Sequence, residues 1–271
     1  MTIKTRNILL LVLLIVSLSL LLADATLLFY NLYKGTLSAP DTFPVKPVPI
    51  FFISGYSFSA VILSIFIFLI YAAVSVFYVY FEFEKTQSTE IIFFAMFLVG
   101  CLSESLRLCI PFFNLWHTLS SFLVFSGRIV IFGRTIAPLA LLFVAVFSGT
   151  EQRQYVERNL IILIIVAVTI ALLLPLDTVN ILPNCCVLWG FSSAFLVVRI
   201  LVLAATALSL FINSFAMGRT EKTPYGFLGL AAGYEICCYS SSYASLIPGA
   251  ALLFIGTAVY LGSLHSQYLW K

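Results

Sequence analysis

SGYSFSAVILSIFIFLIYAAVSVFYVYF, residues 54–81, contains no Asp, Glu, Lys or Arg over 28 positions. A helix of that length is about 42 Å long at 1.5 Å per residue. It exceeds the ~30 Å hydrocarbon core of a bilayer and leaves room for tilt. The same kind of run recurs along the chain, at 8–32, 91–113, 119–147, 160–177, 189–217, 225–243 and 248–265. The pattern predicts an all-α fold, a polytopic transmembrane bundle of eight helices forming a single domain over 1–271.

Composition supports this. Hydrophobic residues make up 62% of the chain and charged residues 9%, against about 45–50% and about 25% in soluble domains. A water-soluble fold of this size has no way to cover so much apolar surface, whereas lipid solvates it directly. A net charge of +3 with no run of Lys or Arg argues against a nucleic-acid partner. The expected surroundings are the lipid bilayer.

Basic residues set the expected orientation. With a cytoplasmic N-terminus, Lys4, Arg6, Lys85, Arg153, Arg158, Arg219, Lys222 and Lys271 fall on the inner side and only Lys34 and Lys46 outside. That bias of eight to two predicts cytoplasmic N- and C-termini in a plasma (inner) membrane. One rival reading concerns the first run. Lys4 and Arg6 precede an apolar stretch that ends in Ala23-Asp24-Ala25, the layout of a cleavable signal peptide. Cleavage would leave seven helices, but the apolar character continues to Leu32, which favours a retained span. Four prolines over 39–49 predict an extended loop.

Seven ionisable residues lie inside the spans: Asp24, Glu104, Arg107, Arg128, Arg134, Arg199 and Glu235. Each costs about 2.5–3.5 kcal/mol to insert near the bilayer centre, so each must face protein, water or a headgroup. Most ride on polar stripes at heptad spacing, such as Ser17, Asp24, Asn31 and Arg199, Thr206, Asn213, and these stripes are expected to turn inward. Glu104 and Arg107, three apart, are expected to pair along one helix. Arg128, Arg199 and Glu235 come from different helices and are expected to meet across the bundle. Arg128 and Arg134, six apart, point about 120° from one another, and Arg134 is expected to snorkel toward inner headgroups. The fifth span, almost purely apolar, should face lipid. Gly249, Gly256 and Ser263 form a small-residue seam on the last span, suited to close packing. Ser126-Gly127-Arg128 is echoed by Phe132-Gly133-Arg134, too briefly to define a repeat, and the Gly127–Arg134 stretch is a place where the fourth helix is open to a break.

Two readings of the charges follow. In one they are buried ion-pair staples. In the other Glu104, Arg107, Arg128, Arg199 and Glu235, with Asp24 and Arg134 in support, line a polar cavity whose arginines hold a small anionic ligand. Tyr239–Ser245, a row of hydroxyls, then forms either an outer loop or the cavity mouth.

The chemistry that is missing narrows the choice. No Lys lies in a span, and the two histidines, His117 and His265, sit near span ends. Neither HExxH nor GxSxG occurs, so no catalytic residue, metal site or cofactor is predicted. The six cysteines lack zinc-site spacing and read as small buried hydrophobes, with a disulfide from Cys109 to Cys185 or Cys186 as the sharper option on the outer face. The general layout resembles the membrane-embedded sensor units of bacterial signalling receptors, without any residue motif that transfers a site. The leading expectation is a membrane-embedded sensor or small-ligand-binding protein. Its short inner links would require a partner membrane or cytoplasmic signalling protein. A small secondary transporter and a structural or assembly protein are the alternatives.

Overall fold

A computed structural model describes residues 3–39, 55–84, 88–116, 120–147, 156–216 and 222–269. The Pro-rich loop after Ala39, His117, Trp270 and the basic residues Lys46, Lys85, Arg153, Arg219 and Lys271 lie outside them.

Eight helices run through the described residues: α1 (Ile3–Lys34), α2 (Phe58–Glu82), α3 (Glu90–Phe112), α4 (Ser121–Phe147), α5 (Val156–Leu173), α6 (Ser192–Ala216), α7 (Lys222–Tyr239) and α8 (Tyr243–Leu269). All except α7 are long and apolar enough to cross a membrane. α7 falls short because Lys222, Pro224, Glu235 and three glycines dilute its apolar residues. Its length reflects its neighbour: α7 and α8 form the tightest helix pair in the molecule. A β-carbon at Gly233 would lie 2.3 Å from the Leu253 amide nitrogen, and one at Gly256 would lie 2.3 Å from that of Leu230. The seam expected on the last span is therefore half of a backbone-to-backbone contact, and α7 supplies the other half.

The helices bury their polar stripes. On α1 the buried residues are Arg6, Leu10, Ser17 and Asn31, while Leu9, Val12, Ile15 and Leu22 face out. Arg199 and Thr206 are the buried positions of the α6 stripe. α5 presents Ile161, Ile165, Val166 and Leu172 outward, as its composition predicts. This inverts the soluble rule and is what lipid solvation allows. The apolar core lies between α2, α3, α4, α7 and α8, around Phe68, Tyr71, Phe94, Phe97, Tyr234 and Tyr260. Edge-on ring contacts link Phe68 and Phe97 to Tyr234, an arrangement favoured by the ring quadrupole.

Three features depart from the expected layout. The span at 160–177 stops at Leu173, because Pro175 disfavours helical backbone in the residue before it. The span at 189–217 begins only at Ser192. Between them lies an antiparallel hairpin, β1 (Leu176–Ile181) with β2 (Val187–Trp189), pairing Leu176 with Trp189 and Asp177 with Leu188. Its turn tucks inward, and Asn184, Cys185, Cys186, Val187 and Trp189 are all buried. α4 is continuous through Gly127–Arg134, and even Pro138 lies within it. The break falls instead in α3, which tightens to a 3₁₀ turn over Glu104–Leu108. Pro111 accounts for it locally: lacking an amide proton, it cannot bond the Arg107 carbonyl, and its ring crowds that oxygen.

Gly233→Val should collapse the α7–α8 pair, since its side chain has only backbone to displace. Gly262→Val, with nothing within 4 Å of the added carbon, should be tolerated. The penalty for Gly233→Val should be at least the ~1–3 kcal/mol of ordinary overpacking. Monodisperse yield and melting temperature in detergent would report both.

Candidate functional site

α3 and α4 cross with almost no side chain between them. A β-carbon on Gly100 would meet the Gly133 carbonyl oxygen at 2.8 Å, and one on Gly133 would collide with Ser103 Oγ. The residues that follow these contact points are Glu104 and Arg134, so the glycines bring the two charges into register. Arg134 grips Glu104 with two parallel bonds, Nε to Oε1 at 2.7 Å and Nη2 to Oε2 at 3.0 Å. The 3₁₀ turn supplies the third member. Positions i and i+3 eclipse in that geometry, and Arg107 Nη1 donates to Glu104 Oε2 at 2.9 Å. Glu104 is 0% exposed.

Both arginines go on to reach other elements. Arg107 donates through Nε and Nη2 to the Asn184 carbonyl oxygen in the hairpin turn, at 2.9 and 2.5 Å. Arg134 Nη2 lies 3.1 Å from both Cys186 Sγ and the Cys238 carbonyl oxygen. One carboxylate thus joins α3, α4, the hairpin and α7. Arg134 is fully buried and does not snorkel: the close crossing with α3 offers it a carboxylate before it can extend toward any headgroup.

Arg199 and Glu235 form a second pair beside the first. Arg199 Nη2 stands 2.9 Å from Glu235 Oε1, near enough to pair as charges but not aligned as a hydrogen bond, since both carboxylate oxygens and Arg199 Nε and Nη2 have no hydrogen-bond partner. Arg199 Nη1 donates to the Tyr239 hydroxyl at 3.2 Å. The Tyr239 ring lies under both guanidiniums, 5.2 Å from that of Arg134 and 5.8 Å from that of Arg199, while Trp189 covers Arg134 at 5.3 Å. Arg134 Nη1, Trp189 Nε1 and the Tyr234 hydroxyl, all buried, also lack partners. Each such group costs about 1–3 kcal/mol when left unmet. Glu235, its side chain 15% exposed, is the open side of the cluster.

Arg128 does not join them. Its Nη1 donates to the Ala171, Leu172 and Leu174 carbonyl oxygens, closing the C-terminus of α5, where orphan carbonyls and the negative end of the helix dipole attract a cation. Arg6, unremarked in the sequence beyond its charge, does the same for α2 through Phe83 and Glu84. Asp24 stands apart on α1 near Cys109, with Oδ2 buried and unpartnered. No disulfide forms: Cys109, Cys185 and Cys186 are free thiols. Cys185 instead fills an apolar cluster with Val61, Ile110, Trp116 and Leu123, and Cys186 turns to Arg134. Among the described residues no group of three His, Cys, Asp or Glu side chains is placed to hold a metal ion.

Tyr234, Tyr239 and Trp189 are functional candidates that sequence reasoning missed. Tyr239 was visible only as the first of a hydroxyl row, and Trp189 only as an interfacial anchor. The row itself closes the α7–α8 turn onto α2, with Ser57 donating its amide to the Ser241 carbonyl and the Tyr243 hydroxyl donating to Ser59 Oγ. No family model matches the chain, and neither a curated protein nor a solved structure is similar to it.

Glu104→Gln leaves two buried guanidiniums without their counter-charge and should cost about 3–5 kcal/mol, read as lost folded yield. Arg128→Gln removes charged hydrogen bonds to carbonyls only and should cost about 1.5–3 kcal/mol. Burial pushes the Cys185 thiol up to about 12. It should therefore resist maleimide at neutral pH until the protein is unfolded, as mass mapping of the labelled sites would show.

Proposed function

We propose that the chain is a multi-pass membrane protein of eight spans with cytoplasmic termini, acting in the plasma membrane as an embedded sensor that binds a small anion. The observation that carries this is the unpaired constellation around Tyr239. Glu104 and Glu235 against Arg107, Arg134 and Arg199 leave the buried cluster with a net charge of +1. The unmet groups beside it are mostly donors: Arg134 Nη1, Arg199 Nε, Trp189 Nε1 and the Tyr234 hydroxyl. A monovalent anion, a halide or a small carboxylate, cancels the charge and answers the donors. The Glu104 triad is the fixed wall, and Arg199 is the binding residue. Glu235 is the internal competitor that holds Arg199 when the site is empty. Output passes to a partner membrane or cytoplasmic signalling protein.

The runner-up, a small secondary transporter, is favoured by the 3₁₀ interruption of α3 beside the charges, since transporters place discontinuous helices at their substrate sites. A structural role for the whole cluster is favoured by the complete hydrogen bonding of Glu104.

Purified protein in nanodiscs, titrated with chloride, acetate and phosphate against gluconate at constant ionic strength, tests the reading by melting temperature. A monovalent ligand at a hundred times its Kd should add about 2.7 kcal/mol. Arg199→Gln should abolish the response, and Glu235→Gln should strengthen it. An unchanged melting temperature in every anion removes the proposal. Anion flux in proteoliposomes would move the assignment from sensor to transporter.

A further inference from the structure

A second site lies on the other side of α3, away from the charges. A cavity of about 520 Å³ opens between α1 and the α3–α5 face. α1 contributes Leu10, Leu13 and Val16 to its wall, and α3 contributes Met96, Val99 and Leu102. Ile129 and Phe132 of α4 and Leu160 of α5 complete it. Along α1 the wall runs from Arg6 to Leu20, fourteen residue steps or about 21 Å of helix. Spread over that length, 520 Å³ gives a mean cross-section of about 25 Å². A helix with its side chains, 10–12 Å across, needs about 80–110 Å². The slot is therefore too narrow for a partner's helix and is one hydrocarbon chain wide.

Its polarity is graded. Arg6 is the one charged side chain in the wall, and it stands at one end, with exposed Lys4 half a turn before it on α1. The middle is aliphatic. The far end reaches Ser105 and Leu106, within the 3₁₀ turn that carries Glu104 and Arg107.

We propose that this slot holds one acyl chain of an anionic phospholipid drawn from the surrounding bilayer, its phosphate at the Arg6 and Lys4 end and its methyl end against the 3₁₀ turn. The inference rests on the membrane reading but not on the anion site. The apolar wall matches the chain, and basic residues near a membrane surface attract anionic headgroups. Contact with the turn gives the bound chain a mechanical path to Glu104, at a place in a helix where 3₁₀ geometry often marks a hinge.

The test is lipid retention by the full-length protein. The protein is reconstituted in vesicles of equal phosphatidylglycerol and phosphatidylcholine, extracted into a lipid-free mild detergent, exchanged until bulk lipid is gone, and weighed by native mass spectrometry. The expected result is one phosphatidylglycerol per chain. Ala95→Trp, which fills the slot from α3, should lose it while keeping the wild-type elution profile. Ala95→Phe, a smaller fill, serves where the tryptophan variant does not fold. Lys4→Gln should lower retention without touching the slot. No retained lipid, equal retention of phosphatidylcholine, retention of a free fatty acid instead, or undiminished retention in a folded slot-filled variant would each overturn the proposal.

Discussion

A single carboxylate holding two guanidiniums out of reach of water is the constraint on which this bundle depends. In a low-dielectric interior the attraction within such a group is large, but so is the penalty for stripping water from it, and the balance turns favourable only when every donor and acceptor is met. Glu104 reaches that condition because backbone geometry brings the partners to it. Gly100 and Gly133 let two helices touch, and the 3₁₀ turn stacks Arg107 on Glu104. The remaining donors of the two arginines are then met by main-chain oxygens of the hairpin and of α7. The hairpin is thus held at its turn by recognition of its backbone.

The arginines divide into three kinds of work. Arg107 and Arg134 are bound on nearly all sides. Arg6 and Arg128 close the C-termini of neighbouring helices, a task that water performs in soluble proteins and that a side chain must perform where water is scarce. Arg199 is held loosely, by one misaligned acid and one phenol. Rigid charges and loosely held ones side by side suit a protein that keeps its architecture while one contact changes, and this contrast, more than the number of buried charges, supports a ligand-responsive reading over a purely structural one.

Local periodicity made much of this legible. Uninterrupted apolar runs gave the helices, heptad spacing gave the inward stripes, and a three-residue interval gave the Glu104–Arg107 contact. What stayed hidden depends on where other segments lie. Gly127-Arg128 and Gly133-Arg134 look alike as sequence. Yet the first glycine meets Val187 and Leu176 of the hairpin and the second meets α3, so the two arginines that follow are sent in different directions. The hairpin was concealed because Leu176–Ile181 continues the apolar character of α5, and only Pro175 marks the change. The weak eighth span kept its place as a helix because its glycines are one face of a packed pair, a fact its own hydropathy does not carry.

Trp189 closes one wall of the charge cluster, with its ring against the Arg134 guanidinium, and Trp116 lies well apart in the cluster around Cys185. Indole emission shifts with the electric field across the ring. A guanidinium at 5.3 Å makes Trp189 a built-in optical gauge of the charge state beside it, and replacing Trp116 and Trp270 with phenylalanine would leave that gauge to be read alone, in a living membrane, without any attached dye.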